Sequence, residues 1–136
     1  MSRFPEDIAK KTLDMISKSS SNNKITVSFA LNYGGRDEIT RAVKKIVSEN
    51  IPTENITEET ISTHLDTADM PDPDLVIRTG GEQRTSGYLP WQSVYSELYF
   101  TPVFFPDFTP DQLTLAIDEF LKRDRRFGGD NSKKAK

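Results

Sequence analysis

This sequence has no cysteine and one histidine, His64, in 136 residues. The lack of cysteine excludes disulfide bonds, thiolate metal centres and a cysteine nucleophile, and the lone histidine suggests no role. No apolar run approaches the ~20 residues that cross a bilayer. The first fifteen residues include three acidic side chains and no apolar stretch, so they do not form a signal peptide. We therefore expect a cytoplasmic protein whose membrane contact, if any, is peripheral and at the cytoplasmic face.

An excess of positive charge is also missing. The net charge is −3, from 18 Lys plus Arg against 21 Asp plus Glu, which gives no electrostatic case for a nucleic-acid partner. Basic residues concentrate in 122–136, and residues 130–136 are expected to be a basic, disordered tail. Only 35% of the residues are hydrophobic, which is little for an independent core. We take this as a first indication that part of the domain lies outside the sequence.

The hydrophobic pattern predicts helices and strands in alternation. Apolar residues recur at helical spacing over 4–18 and 37–48, whereas Lys24–Leu31 alternates strictly and predicts a strand. The run Leu75–Ile77 is wholly apolar, as in the middle of a parallel sheet. Further predicted elements are a helix Glu58–Leu65 capped by Thr57, a helix from Pro90 with Trp91, Val94, Tyr95 and Leu98 on its apolar face, a strand Tyr99–Phe105, and a helix behind the capping box Thr109–Gln112. The predicted fold class is α/β, a partial parallel-sheet layered domain that begins partway through its winding.

A glycine-rich loop, 78–89, follows the apolar strand and is the most informative stretch. Ligands of open α/β sheets bind beyond the carboxyl ends of the strands. Arg78 and Arg84 suit phosphate oxygens, and the three glycines would let backbone N–H groups approach an anion. The alternative is a flexible polar loop with its arginines in surface salt bridges. The composition favours an anion site.

Carboxylates give weaker signals. Glu97 lies off the apolar face of the predicted helix and is most simply a solvated side chain. Four aspartates, Asp66, Asp69, Asp72 and Asp74, have the look of a divalent-metal cluster. A solvated acidic loop is the simpler interpretation, because carboxylates at such spacing are common.

Several motifs occur together in a fixed order. They are Asn32–Arg36, Asp74–Arg84, Ser86, Trp91-Gln92, Ser96–Phe100, Phe105–Phe108 and Arg125–Gly129. In this order and spacing the sequence resembles the cis-prenyltransferase family, of which undecaprenyl diphosphate synthase is the familiar bacterial member. The resemblance covers roughly residues 3–129, so a single portion of that domain is expected over 1–129.

The resemblance implies a reaction and a set of site residues. Isopentenyl diphosphate would condense with an allylic diphosphate, such as farnesyl diphosphate, to lengthen a polyprenyl diphosphate with a cis double bond. The matching family residues, here Arg78, Arg84 and Ser86, hold the diphosphate of isopentenyl diphosphate, and the match to Glu97 helps to hold Mg²⁺. The match to Arg126-Phe127-Gly128 reaches into the partner subunit's active site in a homodimer.

One family motif has no match. The family begins with a Met-Asp-Gly-Asn-Gly-Arg-Trp-like segment that carries an essential aspartate, and nothing of that kind occurs here. The resemblance therefore implies a C-terminal portion with no assigned catalytic residue, inactive alone, whose strand from Ile25 onward lines an apolar tunnel. Two alternatives stay open: a non-catalytic partner subunit of a heteromeric cis-prenyltransferase, and a generic phosphate-binding module. Such partner subunits tend to lose the Arg…Glu-Gln-Arg-x-Ser loop, which is intact here.

Overall fold

The computed structural model describes residues 4–124, which divide after Leu31 into two compact units. The first unit contains α1 (Glu6–Ser19). The second contains α2 (Gly35–Ser48), α3 (Glu58–Ser62), β1 (Leu75–Arg78), β2 (Glu97–Phe100) and α4 (Pro110–Lys122), with short 3₁₀ turns at Thr53–Asn55 and Phe105–Asp107. Helices and a parallel strand pair confirm the predicted α/β class.

In the first unit the helix forms as predicted, but the predicted strand does not. Acidic residues occupy the first turn of α1, where the helix dipole favours them, yet α1 buries no residue. The prediction of a strand over Lys24–Leu31 is wrong, because the described part of the chain contains only the pair β1–β2. A strand is stabilised by a hydrogen-bonded neighbour. Without one, Ile25 and Phe29 are 78% and 67% exposed.

The sheet of the second unit is a parallel pair. Leu75 lies beside Glu97, and Arg78 lies beside Phe100. Backbone bonds extend the pairing at both ends, from Glu97 N to Asp74 O and from Thr101 N to Arg78 O, each at 2.9 Å. All eight strand residues are half-buried. The apolar run at 75–77 therefore forms a strand, as predicted.

The prediction of a helix from Pro90 is wrong. Residues 90–95 form turns, and β2 begins at Glu97 and ends at Phe100 instead of running from Tyr99 to Phe105. One helical turn survives, in which Ser93 N donates to Leu89 O at 3.0 Å. Because residues from Glu97 onward pair with β1, only the residues between Pro90 and Glu97 remain, which are too few for a longer helix. Val94 and Tyr95, expected in the core, are 67% and 69% exposed.

The core of the second unit is small. Its buried hydrophobic residues among those described are Ala42, Ile46, Leu65 and Ala116. The predicted caps are confirmed: the Thr57 side chain accepts from Thr60 N, and that of Thr109 accepts from Gln112 N. Helices α3 and α4 therefore begin at their predicted caps. Of the residues of α4, Ala116 is buried.

Candidate anion-binding site

The loop after β1 folds back on its first residue. Arg78 Nη1 donates to the carbonyl oxygen of Arg84 and to Ser86 Oγ, the latter at 2.9 Å. The structure therefore brings together three residues that the sequence predicted for the diphosphate site. The loop is closed by its own arginine, at the carboxyl end of β1.

The glycines of the loop have a different role from the predicted one. Gly80 and Gly81 adopt positive φ values of 89° and 81°, which favour glycine. Their N–H groups donate to Val103 O at 2.8 Å and to Thr101 O at 2.9 Å. These amides therefore fix the loop against the segment after β2 and are already hydrogen-bonded. An anion at this loop would therefore have to be contacted by side chains.

Arg84 is the accessible cation of the loop. Its guanidinium pairs with the Glu82 carboxylate, and the two side chains are 62% and 51% exposed. An exposed ion pair of this kind contributes little to stability. Arg84 thus forms the surface salt bridge of the alternative interpretation, and its contact with a diphosphate stays a prediction.

Glu97 lies at the other end of the strand pair from Arg78. It sits beside Leu75, three residues before Arg78, which is about 10 Å along a strand. Arg123 Nη1 donates to Glu97 Oε2 and to Leu98 O, both at 2.9 Å. Hydrogen bonds to Glu97 and then to Glu119 raise the pKa of Arg123. The structure thus holds the Glu97 carboxylate beside an arginine and apart from the loop.

The described residues contain no ready-made metal cage. No group of three or more His, Asp or Glu side chains within 4–124 is arranged to hold an ion. Asp66, one of the four clustered aspartates, accepts two bonds from Arg41 at 2.7 and 2.6 Å, which lowers its pKa. Glu97, the carboxylate that the resemblance assigns to Mg²⁺, accepts from Arg123 instead, and its role as a metal ligand stays a prediction.

A buried polar cluster beside the loop was missed by the sequence analysis. Glu38 is 1% exposed and Gln92 is 4% exposed. Gln92 Nε2 donates to Glu38 Oε2 at 3.1 Å and to Thr67 Oγ1 at 2.8 Å. The spacing held a signal for Glu38, because it lies four and eight residues before Ala42 and Ile46 on the buried stripe of α2.

Other predicted features fall elsewhere. In the first unit a groove of about 910 Å³ is lined by Met15, Ile16, Ile25, Val27 and Phe29, among others. It makes these side chains neighbours, while the tunnel itself stays a prediction. Arg126, Gly128 and the tail 130–136 lie outside the described residues. No described helix is both long and apolar enough to cross a membrane.

Comparison with known proteins identifies the family. Residues 1–128 match the family model of undecaprenyl diphosphate synthase. The chain belongs to this prenyltransferase family. The isoprenyl transferase of Wolinella succinogenes is 46% identical over 95% of this chain and 55% of its own length. The farnesyl-diphosphate-specific ditrans,polycis-undecaprenyl-diphosphate synthase of Vibrio vulnificus strain YJ016 is 44% identical over 93% of this chain and 52% of its own length.

A solved structure agrees with this membership. Lavandulyl diphosphate synthase of Lavandula x intermedia, in complex with dimethylallyl diphosphate, superposes with a TM-score of 0.89 at 36% identity. The match covers 93% of this chain and 56% of that protein. The chain thus spans about half the length of the curated relatives it matches.

Proposed function

We propose that the whole protein is a cis-prenyltransferase and that this chain binds the diphosphate of isopentenyl diphosphate. Family membership supports the reaction class. The observation that carries the site is the closed loop, in which Arg78 joins Ser86 Oγ and the Arg84 carbonyl at the carboxyl end of a parallel strand. Arginine forks and a hydroxyl in this place suit the oxygens of a diphosphate.

In this proposal the loop residues bind and orient the substrate. A carbon–carbon bond forms between isopentenyl diphosphate and the allylic diphosphate, while inorganic diphosphate and a proton leave. Arg84 neutralises substrate charge, and Ser86 donates its hydroxyl to a phosphate oxygen. Glu97 would hold Mg²⁺, which would supply charge stabilisation of the leaving diphosphate.

The remaining parts of the proposal concern partners. A segment outside residues 1–136 would bind the allylic diphosphate, for example farnesyl diphosphate. The same segment would contain the family's aspartate. We therefore propose that the isolated chain does not turn over. A homodimer, with Arg126 and Gly128 reaching the partner's site, and a cytoplasmic location with peripheral membrane contact complete the proposal.

A second candidate is a non-catalytic subunit of a heteromeric enzyme. The intact loop from Arg78 to Ser86 favours a substrate-binding role, because its arginines and hydroxyl suit the oxygens of a diphosphate. Binding of isopentenyl diphosphate by this chain decides between them.

The test is calorimetric titration of isopentenyl diphosphate into the chain, first without metal. Arg84→Ala should weaken binding about ten- to a hundredfold, since charge-assisted hydrogen bonds to a diphosphate are each worth about 1.5–3 kcal/mol. Arg84→Lys should recover only part of the affinity, because an ammonium cannot make the two-pronged contact. Glu82→Gln is the control, and it should bind at least as tightly as the unmodified chain.

Glu97→Gln separates the metal role from the anion role. Because Glu97 lies about 10 Å along the strands from Arg78, its loss should leave metal-free affinity unchanged. It should reduce the gain in affinity that Mg²⁺ provides. Unchanged binding by Arg84→Ala would show that the loop is structural and would overturn the site assignment.

A further inference from the structure

The carboxylate of Glu38 is buried, and no Lys, Arg or His of the described residues forms an ion pair with it. Oε2 accepts from Tyr33 Oη at 2.5 Å and from Gln92 Nε2 at 3.1 Å, and Oε1 accepts from Asp66 N at 3.0 Å. The nearby guanidinium of Arg41 bonds Asp37 and Asp66 instead. A buried carboxylate is costly unless donors surround it. Here three neutral donors perform that function.

These donors come from three separate segments. Tyr33 precedes α2, Asp66 follows α3, and Gln92 lies in the turns before β2. Glu38 therefore joins the start of α2 to two segments that are distant in sequence. Because one buried carboxylate accepts from donors on all three segments, the network specifies the positions of these segments relative to one another.

Gln92 shows that its amide is committed to this network. Its Nε2 bonds both Glu38 and Thr67, whereas its Oε1 is buried and meets no hydrogen-bond partner among residues 4–124. Reversing the amide would place Oε1 against the Glu38 carboxylate and leave two acceptors facing each other. The attraction of Glu38 for a donor therefore outweighs the cost of the unpaired oxygen.

The same end of α2 also holds the end of the anion loop. Gly35 N donates to Gly87 O at 3.0 Å. The ring of Tyr33 meets the ring of Tyr88 edge-on, with centroids 5.7 Å apart. Both contacts fall within two residues of Ser86. The segment fixed by Glu38 is thus the segment that sets the position of the Ser86 hydroxyl.

We propose that Glu38 is a positioning residue, which fixes segment 87–92 through Tyr33 and Gln92 and thereby presents Ser86 and Arg84 to the diphosphate. The inference rests on the proposed function for its ligand. The anchoring of the loop is a separate claim that can be measured without any ligand.

The test compares Tyr33→Phe with Tyr88→Phe in the full chain. The first removes the hydroxyl that donates to Glu38, and the second removes the other hydroxyl of the same aromatic pair. Tyr33→Phe should weaken binding of inorganic diphosphate about three- to tenfold, since a hydrogen bond to a charged group is lost. Tyr88→Phe should stay within about twofold. Adding Glu38→Gln to Tyr33→Phe should cost less than the two single losses combined, because both act on one contact.

Hydrogen exchange and a stability control complete the test. Tyr33→Phe should speed exchange at the Gly35 and Tyr88 amides, which bond Gly87 O and Thr85 O. Ile46→Val lies in the core of α2, and it should lower the melting temperature without changing either readout. If Tyr33→Phe leaves exchange at the Gly35 and Tyr88 amides unchanged, the inference is overturned. It is also overturned if Tyr33→Phe speeds this exchange but binds inorganic diphosphate as tightly as the unmodified chain. If the unmodified chain binds no diphosphate, the proposed function of the loop fails, while exchange still decides the anchoring.

Discussion

Each unit contains a segment whose sequence predicts a strand, but only the segment in the second unit forms one. Lys24–Leu31 alternates strictly but forms no strand in the part of the chain that the structure describes, and its apolar side chains Ile25, Val27, Phe29 and Leu31 are 54–78% exposed. Leu75–Arg78 is shorter, yet it pairs with β2 and becomes half-buried. Hydrophobic pattern states which face of a segment is available for burial. A hydrogen-bonded neighbour decides whether the segment becomes a strand.

The helices repeat this contrast. Both α1 and α2 have 14 residues, acidic first turns and an apolar stripe. No residue of α1 is buried, whereas α2 buries Gly35, Glu38, Ala42 and Ile46. Packing therefore provides most of the stability of α2. The stability of α1 depends on the helix propensity of its residues, which is marginal for a helix of this length.

Hydrogen exchange gives the largest expected difference between the units. Amides of 24–31 should exchange at least about a hundredfold faster than those around Ala42 and Ile46, because this exposed segment belongs to none of the helices and strands of residues 4–124 and should open locally. Mass spectrometry of peptides from each region, on the same sample, measures this. Comparable protection would show that 24–31 is paired in solution, by a second copy or otherwise, and would remove the contrast between the two strands.

A glycine pair at the start of α2 tests how closely the second unit is packed. A Cβ on Gly35 would overlap the Pro90 ring and lie 2.7 Å from Gly87 O. Gly35→Ala should therefore lower the free energy of unfolding by about 1–3 kcal/mol. At Gly34 the nearest heavy atom, Asp37 Cβ, is 4.0 Å away. Gly34→Ala should cost only about 0.5 kcal/mol, the difference between two helix caps. Denaturant melts that give equal losses would contradict this packing.

Local signals in the sequence predicted the fold best. The caps at Thr57 and Thr109 are confirmed because each side chain accepts from a backbone N–H only three residues away, which needs no tertiary contact. The helix expected from Pro90 fails for the opposite reason. Its residues fit a helix, but pairing of Glu97–Phe100 with β1 takes precedence, and no local pattern contains that information.

The position of the candidate site in the fold could be predicted from the sequence, but the contacts of its residues could be predicted only in part. The carboxyl end of an apolar strand identified the loop, and Arg78 does meet Ser86 there. The bonds of the Gly80 and Gly81 amides depend on segment 101–103, which the sequence alone did not bring to the loop. The donors to Glu38 come equally from distant segments, so its burial could be inferred from spacing but its partners could not.

The smallest expected effect is a pH dependence in the second unit. His64 Nε2 lies 3.0 Å from Glu49 Oε2, and its Nδ1 lies 2.6 Å from Thr60 O. The hydrogen bond to Glu49 is the main cause that raises the pKa of His64 above its usual 6.5. A raised pKa in the folded state means that the pair stabilises the protein below about pH 6.5 and loses this contribution as the pH rises through the folded pKa. Glu49→Gln should therefore lower the melting temperature by about 1–3 °C at pH 5.5 and by less at pH 8.5, since the pair is partly exposed. Glu54→Gln, which removes a carboxylate outside this pair, should show no such pH dependence. An equal loss for Glu49→Gln at both pH values would mean that the histidine is not charged in this contact.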